Sequence, residues 1–339
     1  MALTEFGDIS GITVAHAHNK MLDHVMPTQI LNRFGQLIPI PKNKTQTIKA
    51  RRMVPYEALT TPLMEGVTPS VKGTTVEIVT GTLQQWGDVH GLTDVIHDTH
   101  DHNTLLDDMM QLTGEQAGAT TEQVTYNVLK GGSSVYYANG SDRTHVNTAI
   151  SLNKQRAVVR ALRSAKAKKI TSVLGPSRNI STKPVEASYV GIAHSDLESD
   201  IRNMQGFVPV TEYGSMSPIC QEEIGAVENV RYILHEDLDP WADAGATAGG
   251  LVESTSGTNA DVYPIIFLGQ NAFAVTPLKN ERTSEGNNLA VKPIVINPNQ
   301  PSAADPLGQR GYVGWKAWFT AFRLNETWMV RLEVAASAL

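Results

Sequence analysis

An α+β protein with long extended projections is what this sequence of 339 residues predicts, and three observations carry the reading. Between Thr47 and Asp94 the run TIKARRMVPYEALTTPLMEGVTPSVKGTTVEIVTGTLQQWGDVHGLTD holds no helical period of apolar residues. Downstream, apolar positions recur at helical spacing from about His102 to Leu129. Near the end, the stretch WKAWFTAFRLNETWMVRLEV is rich in aromatic and β-branched residues and holds three of the five tryptophans (Trp315, Trp318, Trp328).

Composition bounds the function. Apolar residues make up 41% of the chain and charged residues 18%, an ordinary globular balance with enough length for one large domain or two modest ones. A net charge of −6 and a pI near 5.9 argue against a general nucleic-acid binder, which would show a basic excess. The single cysteine, Cys220, has no partner for an internal disulfide, so packing and subunit contacts must supply stability. The start MALTEFGDIS has neither a basic run nor an apolar core, and the longest apolar runs, such as Tyr263–Gly269, are too short to span a bilayer. A soluble, non-secreted protein without a membrane partner is expected.

Taken in order, residues 1–46 read as an N-terminal arm with scattered anchors (Met21, Leu22, Met26, Ile30, Leu31, Phe34), closed by Pro39 and Pro41, which forbid helix. Residues 47–90 read as an extended β-hairpin loop. Its tip carries Pro55, Pro62, Gly66, Pro69 and Gly73, and its returning stretch, Thr74 to Leu83, alternates and is β-branched. At about 3.3 Å per residue such arms reach roughly 50 Å. A projection of that length needs a neighbour.

The long helix places Leu105, Met109, Leu112, Ala117, Val124 and Val128 inward, and Gly131-Gly132 stop it. Gly114, Gly118 and the Thr120–Gln123 capping pattern allow two shorter helices instead. A second helix runs from the N-cap Ser151 to about Lys169. One face holds Leu152, Val158, Val159 and Leu162, the other Lys154, Arg156, Arg160, Arg163, Lys166, Lys168 and Lys169. From Val185 the texture changes: strand VEASYVGIA, a short helix opened by the capping box Ser195–Glu198, and strands at Asn229–Glu236 and Asp261–Leu268. Between these strands lie small residues without period, including Gly245, Gly249 and Gly250; loops of that length are functional or mobile. Strands at Val291–Ile296 and on either side of a turn at Asn325-Glu326 close the chain.

Chemistry is sparse. His90, His97, His100 and His102 with Asp94, Asp98 and Asp101 are residue types that bind zinc or iron, but their spacing fits no metalloenzyme pattern, and a polar helix start accounts for them. His16 and His18 lack partners. Cys220 beside Glu222 and Glu223 would have its thiol pKa raised, not lowered. Asp196, Glu198 and Asp200 read as first-turn charge, and Gly308, Gly311 and Gly314 follow no clean strand. No catalytic residue, metal ligand or cofactor site is nominated. The basic face, with Arg156, Arg160 and Arg163, could neutralise DNA phosphates, pair with a neighbour's acids or stay solvated.

The order of parts resembles the major capsid proteins of tailed bacteriophages with the Hong Kong 97 fold, and most closely the branch typified by coliphage N-four. The wording that carries the resemblance is Glu65-Gly66-Val67-Thr68-Pro69 and Thr82-Leu83-Gln84-Gln85-Trp86-Gly87-Asp88 leading to Thr93-Asp94. It continues with Tyr189-Val190-Gly191 running to Asp200-Ile201-Arg202, and with DPLGQRGYVGWK at Asp305–Lys316. His194-Ser195 departs from it, where a proline is expected after the histidine. The resemblance implies a non-catalytic shell subunit that encloses double-stranded DNA in the virion and assembles in the host cytoplasm. It implies a peripheral domain (91–184, with a spine helix and the basic linking helix), an axial domain (185–285) and closing peripheral strands (286–339). Copies would meet as hexamers and pentamers, with the loop holding Gly245, Gly249 and Gly250 at the axes and with Arg51, Arg52 and Glu65 pairing with neighbours. A portal, a separate scaffolding protein, a decoration protein and packaged DNA are the expected partners. The rival readings are a nanocompartment (encapsulin-like) shell and a metal-dependent enzyme using the His90–His102 cluster.

Overall fold

The computed structural model describes residues 29–338 except 42–44, 55, 61, 64, 67, 69, 100–104, 175–181, 215–216, 280, 283–287, 290, 299–300 and 302–304. The first half contains strands β1 (Gln36–Leu37), β2 (Ile40–Pro41), β3 (Thr47–Met53), β4 (Val76–Thr82) and β5 (Gln84–Thr93), then helices α1 (Asp94–Thr99) and α2 (Leu105–Lys130). There follow β6 (Val135–Tyr137), α3 (Leu152–Ser164), β7 (Ile170–Leu174), β8 (Thr182–Ala193), α4 (Glu198–Arg202), β9 (Phe207–Pro209), β10 (Glu223–Val227) and β11 (Val230–Leu234). The last third holds β12 (Tyr263–Leu268), β13 (Phe273–Lys279), β14 (Glu281–Arg282), β15 (Asn288–Leu289), β16 (Val291–Ile296), β17 (Arg310–Arg323) and β18 (Met329–Val334).

An eight-stranded sheet runs β6-β18-β12-β8-β11-β10-β9, with β7 added to β8. Every residue of β12 is buried, because both faces of the sheet are covered. Tyr263, Ile265 and Phe267 join Val158 and Leu162 of α3, Ile201 of α4 and Leu332 in one core. Ile266 and Leu268, on the opposite face, join Tyr126 and Leu129 of α2 with Phe273, Phe319 and Ala321 of a second sheet. That second, six-stranded sheet has β17 as its hub, pairing with β13, β16 and β5. β3 and β4 form a separate two-stranded sheet, as do β14 and β15.

The long helix is unbroken over 26 residues, about 39 Å, but its buried face is only partly the expected one: Ala117 is buried, and Met109, Val124 and Val128 pack at the margins of the cores. Leu112 is 64% exposed, and Leu105, Met109, Val124 and Val128 are only half-buried. The inner stripe is Met110, Thr113, Gly114, Ala117, Gly118, Thr121, Thr125, Tyr126 and Leu129. The reason lies in the partner: Ala117 meets Trp315, Ala317 and Val291, and bulky residues on the sheet demand small ones on the helix. Gly114 and Gly118, which weaken the helix centre in isolation, lie buried on this same inner face.

Three further differences have local causes. The basic helix ends at Ser164 because Lys166 adopts a left-handed φ of 55°. The Lys166 amide bonds Arg163 O (2.9 Å) and the Ala167 amide bonds Leu162 O (2.9 Å), a Schellman closure, so Lys166, Lys168 and Lys169 lie beyond the helix. The turn before α4 is capped by His194, whose Nδ1 accepts from the Asp196 amide (3.2 Å), and not by a Ser195–Glu198 box. Finally, β17 and β18 turn through Glu326–Trp328 as expected, yet they belong to different sheets. The closing segment thus stitches the two sheets together.

Candidate functional site

The residues singled out by sequence fall on three surfaces. The first is the hairpin of β3 and β4, registered from Thr47 opposite Thr82 to Met53 opposite Val76. Its root lies against β17 so closely that a Cβ on Gly81 would stand 2.5 Å from Phe322 Cδ1. Arg52 Nε donates to Glu77 Oε2 across the strands at 3.0 Å, so this cation already has a partner in its own chain. Arg51 projects from the opposite face and is exposed, as is Glu65 beside Gly66 (φ 78°) at the tip. Between them Met53, Tyr56, Leu59 and Leu63 are exposed, and Val71 is 98% so. That much uncovered apolar surface on one projection marks an interaction site.

The second surface is the small-residue loop between β11 and β12, which is tied down where its lack of period suggested mobility. Gly245 N bonds Ala260 O (2.9 Å), Ala260 N bonds Ala246 O (2.8 Å) and Ala248 N bonds Thr258 O (3.0 Å). The Asp243 carboxylate accepts from the Ser256 hydroxyl (2.8 Å) and amide (3.1 Å), which hold its pKa below the ordinary value. Gly245 is interior: a Cβ there would lie 2.2 Å from Val146 O. Gly249 and Gly250, with φ of 63° and 73° and open space around them, form the exposed tip.

The third surface is the basic face of α3. Arg156 Nε donates to Glu228 Oε1 at 2.8 Å, which lowers the pKa of that carboxyl. Arg160 and Arg163 are exposed.

The other candidates resolve into structural roles. His90 Nε2 donates to Gln116 Oε1 (3.2 Å), Gln116 Nε2 donates to Asp88 Oδ2 (2.7 Å), and Trp315 Nε1 donates to the same Gln116 oxygen (3.3 Å). Asp94 Oδ1 accepts from the Val95 amide (2.7 Å). Among the described residues no three His, Cys, Asp or Glu side chains gather as a metal set. His16, His18, His100, Asp101 and His102 and the side chains of His97 and Asp98 lie outside the described residues. Burial, with help from Glu222, pushes the Cys220 thiol up to about 12. Asp196 accepts from Tyr263 OH (2.8 Å), and Asp200 takes the Ser337 amide (2.9 Å) and hydroxyl (2.7 Å). Gly311 and Gly314 sit where β17 is crowded; a Cβ on Gly314 would lie 2.5 Å from Asp88 O. Among the described residues no helix is long and apolar enough to cross a membrane.

The chain shares its fold with solved phage capsid chains. The capsid of Ralstonia phage GP4 superposes with a TM-score of 0.67 at 13% identity, over 92% of each chain. The head of Helicobacter pylori bacteriophage KHP40 gives 0.55 at 10% identity, over 91% of this chain and 88% of that one. The encapsulin SrpI of Synechococcus elongatus PCC 7942 gives 0.52 at 11% identity, over 89% and 86%. Residues 77–321 match the sequence pattern of the family described as phage capsid protein, and the chain belongs to that family. The major capsid protein of Pseudomonas phage KPP21 is 21% identical over 182 residues, covering 50% of this chain and 45% of that protein. The chain thus spans less than half the length of that relative.

Sequence reasoning missed β5 as a member of the second sheet and Gln116 as the bridge between helix and strand. Gly87, Gly91 and polar neighbours hide the alternation of β5, and only its pairing with β17, Thr93 opposite Arg310 to Gln84 opposite Phe319, reveals it. A lone glutamine on a helix gives no signal.

Proposed function

We propose that this phage capsid protein assembles with copies of itself, as hexamers and pentamers, into the icosahedral shell that encloses double-stranded DNA in the virion. The observation that carries the proposal is the hairpin Thr47–Met53 with Val76–Thr82, whose tip leaves Met53, Tyr56, Leu59, Leu63 and Val71 uncovered by their own chain. A shell supplies the missing cover at every subunit, through many repeats of one interface.

In this reading the arm (1–46) and loop (47–90) meet neighbours beyond the parts anchored in the chain's own body, Ile30, Leu31 and Phe34 of the arm and β5 of the loop, with Arg51 and Glu65 as contact residues. Helix α2 is the spine of a Hong Kong 97-like peripheral domain (91–184 and 286–339). Residues 185–285 are the axial domain, with the Gly249–Gly250 tip at the axes. Arg160 and Arg163 remain the basic pair for phosphates, without base specificity. The subunit acts without catalysis or cofactor, and portal, scaffolding and decoration proteins are separate chains met in the host cytoplasm. The motif order from Glu65 to Lys316 supports placing the chain in the N-four branch.

Negative-stain microscopy of the purified chain, expressed with and without neighbouring genes, tests this. Icosahedral particles or ring-shaped capsomers are expected; a monodisperse monomer or dimer under every condition overturns it. The shared fold of the SrpI encapsulin favours a second reading, a cargo compartment. Particles that co-purify with an enzyme and never with DNA would select it.

A further inference from the structure

The outer edge of β5 is an unprotected strand edge. β5 pairs with β17 along one side over ten residues, and among the described residues no strand pairs with its other side. The ladder is unbroken, and the strand contains neither proline nor lysine, the devices that usually blunt an edge. Its side chains are exposed except Trp86 and Leu92, with Val89 at 55%. In an antiparallel ladder alternate residues turn both backbone groups to the same neighbour. Two bonds fix which ones. The Val89 amide is taken by its own neighbour's carboxylate, Asp88 Oδ1 (2.8 Å), while the Asp94 amide reaches Gln309 O on the β17 side (3.1 Å). Gln85, Gly87, Gly91 and Thr93 therefore turn their N–H and C=O groups to the free edge, and Val89 turns its C=O there together with an N–H that must leave the Asp88 carboxylate before it can pair.

The sequence of this edge is self-complementary about Val89. Turned antiparallel on a second copy of itself, Val89 faces Val89, Asp88 faces His90, Gly87 faces Gly91, Trp86 faces Leu92 and Gln85 faces Thr93. Acid meets base, glycine meets glycine and apolar meets apolar. Shifting the centre to Asp88 sets two carboxylates opposite each other, and shifting it to His90 sets two imidazoles opposite each other; strand register is selected by such pairs. Gln116 holds Asp88 and His90 in place from the helix side, where they are half exposed.

We infer that β5 is a two-fold contact between copies of this chain, in which two β5 edges pair antiparallel about Val89 and join two six-stranded sheets into one. The inference rests on the shell reading only in that copies are brought together. Its closing experiment separates the two, because it is scored on particles whose formation is seen independently.

Val89→Cys particles are oxidised and run on a non-reducing gel. The two introduced thiols would sit on Cα atoms about 5.5 Å apart, within disulfide reach. A dimer band is expected, and the ladder stops at two because a two-fold contact closes on itself. Unmodified chain gives no band, its Cys220 being buried. Gln85→Cys, whose partner position is Thr93, also gives none. Intact particles without a dimer band, a ladder beyond two, or a cross-link to a different protein each overturn the inference while leaving the shell reading standing.

A charge test covers the case in which Val89→Cys does not assemble. His90→Glu sets carboxylates opposite each other at the seam, and the double variant Asp88→Lys with His90→Lys sets ammonium groups opposite each other. Each variant alone is expected to lose at least tenfold in particle yield, and co-expression of the two is expected to restore yield to within twofold, since every seam pair is then attractive. A defect inside the monomer cannot be rescued by mixing, so failure of the mixture to recover, or normal yield from each variant alone, overturns the inference.

Discussion

Glu333 is fully buried in β18, and two arginines satisfy its carboxylate. Arg143 grips it with two bonds (2.8 and 2.9 Å), Arg331 adds a third (2.9 Å), and the Arg143 guanidinium stacks 3.5 Å above Trp241 at the start of the small-residue loop. Removing the carboxylate leaves the buried Arg331 and the half-buried Arg143 without their shared anion. Glu333→Ala should cost about 3 kcal/mol, the scale of a broken buried ion pair, and thermal melting of the free subunit would show it. Asp88 behaves differently because it is exposed. The Gln116 bond, aided by the Val89 amide, holds its pKa below the ordinary 3.8. A depressed carboxyl stabilises the fold above its unfolded pKa, and the contribution is lost as pH falls through the folded value. Gln116→Ala should raise the Asp88 pKa toward its ordinary value, read by carboxyl NMR titration, and should shrink that acid loss and end it at higher pH. Neither role was legible by residue type. Glu333 lies in an ordinary strand run, and Arg143 is 190 residues away.

Among the elements, the small-residue loop divides its glycines by purpose. Gly245→Ala would drive a methyl into Val146 O and Ala260 O, both backbone atoms that cannot swing aside, at a cost of about 3 kcal/mol or more. Gly249→Ala and Gly250→Ala meet nothing and carry only the left-handed penalty, about 1–2 kcal/mol each. Urea titration of the three variants should rank Gly245 last in stability. Helix α3 offers the opposite case. Lys166 occupies a left-handed position that glycine fills without strain, so Lys166→Gly should gain up to about 1 kcal/mol after glycine's own entropy cost, checked by the same titration. The end of that helix was misread in sequence because the lysine run continues through it without a break; backbone conformation at one residue decided the boundary.

For the molecule, stability and assembly are written in separate places. The core residues lie in the two sheets and their helices, whereas the hairpin meets the body beside its root, where Gly81 lies on Phe322 and Arg52, Glu77, Val79 and Thr80 share a cleft with Val128 and residues 321–327. Arg51→Glu, on the exposed face of β3, should leave the melting curve of the free subunit within about 0.5 kcal/mol while lowering particle yield at least tenfold. Normal particles from that variant would remove Arg51 from the contact set. Arg52→Glu is a poorer probe, since it also breaks the pair with Glu77. The features legible from the residues alone are local. Prolines, glycines and β-branched alternation specify the hairpin, helical spacing specifies both helices, and aromatic and β-branched enrichment specifies the closing strands, because backbone preference acts over neighbouring residues. The tertiary structure decided which face of α2 turns inward, that β17 and β18 part into different sheets, and that β5 is the rim of a sheet. Each of those depends on groups far apart in the chain, and on volume and free hydrogen-bonding edges that exist only after the strands have paired.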